Sequence, residues 1–323
     1  MQVTRRVLVT GASGFVGTVV ADRLRAAGDD VVGIDREPTA GSDIAAADIA
    51  EPETYAHLLA DTDLVVHTAA LTTLAGDRDE FWRVNTLGTR EVVRAAARQG
   101  VRRVVHLSSI VVFGLEFPDD VDETWPVRTT GAPYVDTKIS AEQVALMAHA
   151  AGDVEVTIIR PGDVYGPRSS QWTVAPVEEI RRGRLILPAH GEGIISPVYV
   201  DNLVDGILAA ADEPKAAGHV ITVTDGVGIT ASEFFGRYAD LMRVPRPRTA
   251  PAVLLRPASS VVGLVDRIRG EASHMSAHTI DYLQRTGTYD ITKARTMLGY
   301  APEVGLDEGF SRSSRWLLEE GIA

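Results

Sequence analysis

Short apolar runs alternate with helical stretches along the first half of the chain. The apolar runs are Arg5–Thr10, Asp30–Asp35, Leu64–Thr68, Arg103–Ser108 and Glu155–Arg160. Between them, the spacing of apolar residues predicts helices over Phe15–Ala27, Pro52–Ala60, Phe81–Gln99 and Tyr134–Ala150. Strict alternation of this kind predicts parallel strands joined by right-handed crossovers, with helices covering both faces of the sheet. We therefore predict an α/β fold with a doubly wound parallel sheet over residues 1–165.

The pattern becomes irregular after Pro161, where proline and glycine cluster. Helices are predicted over Asp201–Ala211 and Ala231–Leu241, and a strand over Val220–Thr224. This pattern predicts a smaller, irregular α+β lobe for substrate binding over residues 166–323, part of which (about 197–225) returns to the sheet. An apolar segment from Val253 to Val265 predicts a further helix near the substrate.

The first strand and the first helix are joined by the sequence Thr-Gly-Ala-Ser-Gly-Phe-Val-Gly at residues 10–17. Gly11 permits a tight turn, Gly14 lets the backbone approach a pyrophosphate at the helix amino end, and Gly17 lets helix and strand pack closely. The position between a strand and a helix is the context that makes this motif informative. We predict a Rossmann dinucleotide site in which the loop residues Ser13, Phe15 and Val16 also contact the cofactor.

The end of the second strand indicates which dinucleotide binds. Asp35 stands 18 positions after Gly17 and could accept hydrogen bonds from the adenosine ribose hydroxyls while repelling a 2′-phosphate. This favours NAD over NADP. The neighbouring Arg36 argues the other way, because a guanidinium can bind a phosphate. Asp48 and Ile49, after a third short apolar run, are placed near the adenine.

Tyr134 and Lys138 are four residues apart at the start of a predicted helix, so they share one face. A nearby ammonium and an oxidised nicotinamide would lower the phenol pKa, which is about 10 in water, and allow Tyr134 to act as general acid/base. The chain has only three lysines, and this spacing would arise by chance about 0.07 times. Ser109 ends a strand and could hydrogen-bond the substrate oxygen.

Taken together, these motifs resemble the extended short-chain dehydrogenases/reductases, in the NAD-dependent epimerase/dehydratase superfamily, and the resemblance covers nearly the whole chain. It rests on residues 10–17, Asp35, Asp48, residues 67–70, Asn85, Ser108-Ser109, residues 134–138 and residues 160–167. The resemblance implies that Thr68, Ala69 and Ala70 line the cofactor channel, that Asn85 lies near the catalytic lysine, and that Pro161 and Val164 touch the nicotinamide end. It also selects Ser109 rather than Ser108 as the catalytic serine, and implies a homodimer formed through the helices at Phe81–Gln99 and Tyr134–Ala150.

Residues 196–203, 290–295 and 298–302 resemble the 3β-hydroxysteroid dehydrogenase-like branch of this class. Nucleotide-sugar epimerases are similar in these regions, but they usually carry a diphosphate-binding arginine where this chain has Ile195. Arg184 and Arg168 are the candidates to replace it. Dehydratases carry an acid just after the catalytic serine, whereas Ile110 and Val111 follow Ser109 here. Dehydration is therefore not expected.

Composition narrows the possible partners and location. The net charge is −12 and the basic residues are dispersed, which argues against nucleic acid. The chain has no cysteine, which excludes disulfides and thiol nucleophiles and suits the cytoplasm. Neither an apolar run long enough to span a membrane nor a histidine spacing typical of metal ligands is found.

Three functions follow from these observations. The first is an NAD(H)-dependent oxidoreductase that interconverts a secondary alcohol and a ketone on a hydrophobic small molecule, with Tyr134, Lys138 and Ser109 as catalytic group. The second is a nucleotide-sugar 4-epimerase. The third is a non-catalytic dinucleotide sensor, against which the intact catalytic group argues.

Overall fold

A seven-stranded, wholly parallel sheet forms the centre of the computed structural model, which describes residues 4–73, 76–255 and 276–323. The strands are β1 (Arg6–Thr10), β2 (Asp30–Asp35), β3 (Ala45–Ala46), β4 (Leu64–His67), β5 (Arg103–Leu107), β6 (Glu155–Pro161), β7 (Asp163–Tyr165), β8 (Ile186–Leu187), β9 (Ile194–Ile195), β10 (Pro197–Tyr199), β11 (Val220–Val223), β12 (Ile229–Thr230) and β13 (Arg248–Thr249). The central sheet has the order β11-β6-β5-β4-β1-β2-β3. The predicted doubly wound α/β fold is confirmed.

The described helices cover both faces of this sheet. They are α1 (Phe15–Ala26), α2 (Arg78–Phe81), α3 (Thr89–Arg98), α4 (Pro133–Ala150), α5 (Ala175–Arg181), α6 (Val200–Asp212), α7 (Ala231–Met242), α8 (Ala277–Tyr282), α9 (Thr292–Leu298) and α10 (Leu306–Glu319). Helix α1 packs beside α6, and α3 packs beside α4. None of the helices in the described ranges is long and apolar enough to cross a bilayer.

Strand β1 shows why the apolar runs are continuous rather than alternating. Val7 and Val9 pack into the core that contains α1 and α6, whereas Leu8 between them packs into the core that contains α3. Since both faces of the strand are buried, a polar residue would be desolvated on either side.

Two predicted helices differ in detail. The segment Pro52–Ala60 forms two 3₁₀ turns, because Tyr55 leaves helical geometry (φ −137°, ψ −11°) and donates its buried hydroxyl to the Ile49 carbonyl at 3.1 Å. The stretch Phe81–Gln99 contains a π-helical turn, Trp82–Gly88, between α2 and α3. π-turns inside helices often occur at functional sites, and this one includes Asn85.

The second half of the chain is built from small paired strands and helices. Strand β11 joins the central sheet beside β6, while β10 pairs with β7 outside it. The β9–β12 and β8–β13 pairs complete the strands of this region. The division into domains at residue 165 stays a prediction. Most of the apolar segment Val253–Val265 lies outside the described residues.

Two buried histidines lie side by side on β4 and β5. The rings of His67 and His106 are 5.1 Å apart, and both residues are 1% exposed. Burial, with a smaller contribution from the Lys138 charge, lowers the pKa of His67 to about 3 and that of His106 well below its usual value. Both are therefore neutral in the folded protein at neutral pH.

We predict that these histidines limit stability in acid. Each takes up a proton on unfolding below pH 6.5, so their neutral burial stabilises the fold above that pH and the contribution is lost as the pH falls. His106→Leu removes one such group, and neither of its ring nitrogens has a hydrogen-bond partner among the described residues. The pH slope of the unfolding free energy between pH 4.5 and 6 should fall by up to about 1.4 kcal/mol per pH unit. Urea titrations at several pH values measure this slope, with exposed His57→Asn as the control; an unchanged slope in His106→Leu would contradict the prediction.

Candidate active site

The glycine loop between β1 and α1 is as close-packed as the sequence motif predicts. Gly11 has φ +70°, and a methyl group there would come within 2.8 Å of the Ala69 backbone. A methyl group at Gly17 would lie 2.1 Å from the Gly11 carbonyl oxygen. Only glycine fits at these two positions, because the clashing atoms are backbone. Gly14 precedes the first residue of α1 and donates its N–H to the Gly11 carbonyl at 2.9 Å.

The Asp35 carboxylate at the end of β2 is fixed against this loop. Its two oxygens accept hydrogen bonds from the backbone N–H of Ser13 and of Glu37, both at 3.1 Å. Arg36 is directed elsewhere, since its guanidinium donates to Glu80 at 3.2 Å. The loop residues Phe15 and Val16 open helix α1 and are half-buried.

Asp48 and Ile49 follow β3. One oxygen of Asp48 accepts from Arg83 at 2.9 Å and the other from the Ala50 N–H at 2.9 Å. Although burial acts to raise its pKa, these hydrogen bonds and the Arg83 charge hold it below the usual value. Ile49 is 6% exposed. Its side chain would lie 2.8 Å from a methyl group at Gly88, so it packs against the π-turn.

A chain of hydrogen bonds joins the glycine loop to helix α4. Thr10 bonds His67 at 2.7 Å, and His67 bonds Thr89 at 3.0 Å. Thr89 donates its single hydroxyl proton to the Asn85 carbonyl at 2.6 Å, so it accepts from His67 Nε2–H, and His67 Nδ1 must accept from Thr10. The Asn85 amide then donates to Thr137 at 3.2 Å, one residue before Lys138.

This chain of hydrogen bonds also orders the loop after β4, where the resemblance placed the cofactor channel. Thr10 Oγ1 accepts from the Ala69 N–H at 3.2 Å, and Thr68 donates its hydroxyl to the Thr10 carbonyl at 2.6 Å. Asn85 clamps Leu71 through two hydrogen bonds of 2.8 and 3.0 Å. Ala70 lies between these anchored residues, so the loop that contains it is held at both ends.

Ser109, Tyr134 and Lys138 come together at the carboxyl edge of the sheet. Ser109 follows β5, Tyr134 stands in the first turn of α4, and Lys138 is one turn further along. The Lys138 ammonium, 3% exposed, donates to the Leu107 carbonyl at 2.6 Å. Ser109 Oγ accepts from the Val111 N–H at 3.3 Å, and a hydrogen bond between Ser109 and the Tyr134 phenol acts on the phenol pKa.

In the protein alone, the pKa of Tyr134 lies above its ordinary value. Burial raises it to about 12, the hydrogen bond with Ser109 lowers it, and the charge of Asp163 raises it. Lys138 is not among these causes in the protein alone; the predicted lowering by Lys138 together with an oxidised nicotinamide stays a prediction. Burial also lowers the pKa of Lys138 to about 8, against the raising effect of Glu142. A cationic bound molecule would have to supply the charge that lowers the Tyr134 pKa.

Pro161 and Val164 stand at the same edge of the sheet. Pro161 is the last residue of β6 and is buried. Val164, in β7, is half-buried and pairs with Val198. Their predicted contact with a nicotinamide stays a prediction.

The sequence did not predict a buried ion pair that joins α4 to β6 next to Ser108. Glu142 accepts two hydrogen bonds from Arg160, at 2.8 and 2.7 Å, and a third from Ser108 at 2.5 Å. The guanidinium also lies 4.7 Å above the Phe113 ring. Glu142 is four residues after Lys138 and thus on the same helix face, which was the one available signal. Ser108 therefore belongs to this buried ion pair, whereas Ser109 hydrogen-bonds Val111 and Tyr134.

The site fits a dinucleotide. Gly11 and Gly17 have no room for side chains because they meet protein backbone, the exposed Gly14 stands at the amino end of α1 where a pyrophosphate would bind, and Asp35 lies beside the loop in a fixed orientation. Among the described residues the Leu107 carbonyl is the hydrogen-bond acceptor of Lys138, so two of its three donors remain for a bound molecule. The same part of the chain has no cluster of three or more residues that could hold a metal ion.

Fold and site together define an extended short-chain dehydrogenase/reductase, as the sequence resemblance predicted. The sequence model of the NAD dependent epimerase/dehydratase family matches residues 7–224. The chain belongs to this family, and its named relatives include reductases and epimerases.

Three curated relatives match along almost their whole length. A 2-alkyl-3-oxoalkanoate reductase of Stenotrophomonas maltophilia (strain K279a) is 28% identical, covering 95% of this chain and 98% of the relative. A 4-hydroxy-2-methyl-3-oxo-4-farnesyl-3,4-dihydroquinoline-1-oxide ketoreductase of Stigmatella aurantiaca is 31% identical, covering 94% of each. A UDP-glucose 4-epimerase of Mycolicibacterium smegmatis (strain ATCC 700084 / mc(2)155) is 29% identical, covering 95% of this chain and 97% of the relative.

A similar solved structure is MoeE5 in complex with UDP-glucose and NAD. It is 25% identical, with a TM-score of 0.79, and the match covers 98% of this chain and 100% of MoeE5. The likeness extends over both the sheet and the irregular second half.

We predict that the Glu142–Arg160 pair is essential to the fold. Glu142→Gln leaves a buried guanidinium without its charge partner and should lower the free energy of unfolding by about 3 kcal/mol or more. Glu178→Gln, which removes an exposed partner of Arg182 at 3.6 Å, should cost less than about 1 kcal/mol. Guanidinium unfolding at pH 7.5 measures both. Equal losses in the two variants would contradict the prediction.

Proposed function

We propose that the protein is an NAD(H)-dependent oxidoreductase that interconverts a secondary alcohol and a ketone on a hydrophobic small molecule. The observation that carries this proposal is the convergence of Ser109, Tyr134 and the buried Lys138 beside a glycine loop suited to a dinucleotide. A proton donor for oxygen and a site for a hydride carrier are the two requirements of carbonyl reduction.

Each residue of the catalytic group has one role in this proposal. Tyr134 donates its phenolic proton to the ketone oxygen during reduction and accepts the hydroxyl proton during oxidation. Ser109 orients the substrate oxygen. Lys138 holds the nicotinamide ribose with the two ammonium N–H groups that do not bond the Leu107 carbonyl. When bound, NAD(H) supplies the hydride donor or acceptor and, when oxidised, a positive charge that favours the phenolate.

Asp35 supports NAD over NADP. Its carboxylate is held by two backbone N–H groups at 3.1 Å, so it cannot turn away from a 2′-phosphate without breaking both hydrogen bonds. Arg36, the residue that could attract a phosphate, is bonded to Glu80. The family is NAD-dependent by its description, and MoeE5 was solved with NAD.

Two observations support a hydrophobic substrate: the names of two relatives, and the lack of an arginine where epimerases usually bind a diphosphate. Two relatives are named as reductases of alkyl or farnesyl oxo compounds. Ile195 stands where epimerases usually hold an arginine, and Arg184 is hydrogen-bonded to Glu179.

The second candidate function is a nucleotide-sugar 4-epimerase, favoured by the UDP-glucose 4-epimerase among the relatives and by the UDP-glucose bound to MoeE5. An epimerase retains NAD and produces no net NADH. Incubation with UDP-glucose, followed by sugar analysis and NADH fluorescence, separates it from the oxidoreductase.

We further propose that the protein is a cytoplasmic homodimer that does not bind nucleic acid. The net charge of −12 argues against a nucleic-acid partner, and the absence of cysteine supports a cytoplasmic location. Support for the dimer is the resemblance and the exposed Met147 (69%) on α4 and Trp82 (46%) before α3.

Tyr134→Phe should reduce turnover at least about 100-fold, because it removes the proton donor but keeps the ring. NADH binding, followed by fluorescence titration, should change little. Tyr300→Phe is the matched control: its hydroxyl donates to the Thr224 carbonyl at 3.1 Å, away from the catalytic group, and turnover should persist. Retained turnover in Tyr134→Phe would remove Tyr134 from the mechanism.

Asp35→Asn should narrow the preference for NAD over NADP by about tenfold, which corresponds to about 1.4 kcal/mol. The substitution removes the charge that repels a 2′-phosphate but keeps the shape. Dissociation constants of NADH and NADPH for each variant measure the ratio. Glu37→Gln, which removes an exposed charge two residues further on, should leave it unchanged. A wild-type preference for NADPH would refute the assignment to Asp35.

A further inference from the structure

Arg168 has a backbone conformation that arginine rarely adopts. It follows β7 and has φ +74°, in the left-handed region that favours glycine. The next residue holds it there: the buried Ser169 donates its N–H to the Gly166 carbonyl at 3.1 Å and its hydroxyl to the Val164 carbonyl at 2.9 Å. Backbone strain that the surrounding structure maintains is typical of functional positions.

The Arg168 side chain lines a cavity of about 170 Å³ beside the glycine loop. Ala12 of that loop and Thr18 in the first turn of α1 line the same cavity, and the exposed Gly14 lies between them in the chain. Thr39, after β2, also lines it and donates its N–H to the Ser13 hydroxyl at 3.0 Å. Arg168 therefore shares a cavity with the helix end at which a pyrophosphate would bind.

Two cations are found among the described residues that line this cavity, and they differ in their partners. The Arg25 guanidinium is 3.6 Å from Asp22 and 3.3 Å from Asp43, so its charge is compensated within the cavity. Arg168 has neither an ion pair nor a hydrogen bond with the part of the chain that the structure describes. Its guanidinium is thus available as a bidentate partner for phosphate oxygens.

Gln171 shows that the segment carrying Arg168 crosses over the glycine loop. Its side-chain amide donates to the Thr72 carbonyl at 2.5 Å. Thr72 follows β4 and Thr39 follows β2, while β1, which ends in the glycine loop, lies between these two strands in the sheet. Residues 168–171 therefore reach both sides of the carboxyl end of β1, across two strand spacings or about 10 Å.

We propose that Arg168 binds the diphosphate of the dinucleotide, so that the irregular lobe adds a cation to the cofactor site. This inference rests on the proposed function and deepens it. The sequence suggests Arg168 and Arg184 as replacements for the arginine with which epimerases bind a substrate diphosphate. Arg184 is bonded to Glu179 at 3.1 Å and Arg168 faces the cofactor loop, which favours a substrate without a diphosphate.

The test is Arg168→Gln, which removes the charge and leaves the backbone strain as it is, because glutamine also disfavours positive φ. Titration of the full chain with NADH, followed by nicotinamide fluorescence, should give a dissociation constant about tenfold higher than that of the wild type. Competition by ADP should weaken by a similar factor, whereas competition by adenosine, which has no diphosphate, should not change. Arg168→Lys keeps the charge without the two parallel donors and should recover part of the affinity.

Arg98→Gln is the matched control. Arg98 is exposed like Arg168, but it ends α3 and so lies at the opposite edge of the sheet, where β5 begins. The substitution removes the same charge and should leave the affinities for NADH and ADP unchanged. If Arg168→Gln folds poorly, Arg168→Gly replaces it, because glycine adopts positive φ without strain and the same loss of affinity is expected.

Unchanged NADH affinity in Arg168→Gln and Arg168→Gly would overturn the proposal. So would equal losses for ADP and adenosine, since the effect would then be structural. UDP added to the protein saturated with NAD⁺ separates the two sources of a diphosphate: weaker UDP binding with unchanged NADH binding would assign Arg168 to a nucleotide-sugar substrate instead. A failure of the proposed function would appear as turnover in Tyr134→Phe, which is independent of these affinities.

Discussion

The buried ammonium of Lys138 is the constraint around which the site is arranged. A cation at 3% exposure needs acceptors, and the carbonyl of Leu107 at 2.6 Å supplies one. The two neighbouring imidazoles add no positive charge, because burial holds His67 and His106 neutral. The carboxylate that favours the ammonium, Glu142, is shared with Arg160 and Ser108. Lys138 is therefore only partly compensated, and a bound molecule with acceptor oxygens would complete its coordination.

The second requirement is that the cofactor loop and the catalytic helix keep their relative position. The loop belongs to β1 and the helix to α4, which are far apart in sequence. The hydrogen bonds from Thr10 through His67, Thr89 and Asn85 to Thr137 connect them inside the protein. A shift of α4 would break these hydrogen bonds. Because buried hydrogen bonds are costly to leave unmade, the connection opposes such a shift. The π-turn is the local distortion that contains Asn85 within this path.

The sequence predicted the parts of the molecule that depend on local chemistry. The strands of the central sheet, the glycine loop and the Tyr134–Lys138 spacing follow from buried apolar runs, backbone close approach and helix periodicity. The buried contacts of Asp163 could not be predicted, because it meets Arg285 and Tyr282 across more than a hundred residues with no periodic pattern. The raised pKa of Tyr134 in the protein alone could not be predicted either, because its main cause is burial, which the Tyr134–Lys138 spacing does not reveal.

Lys138 and Tyr134 have different electrostatic surroundings. The Lys138 ammonium interacts with the two neutral imidazoles of His67 and His106 and with Glu142 of the Glu142–Arg160 pair. Burial of the Tyr134 phenol disfavours the phenolate. In the protein alone this burial prevails, and the phenol holds its proton. Under the proposed function, an oxidised nicotinamide would bring a positive charge to the site and favour the phenolate, so the protonation state of Tyr134 would follow the redox state of the cofactor.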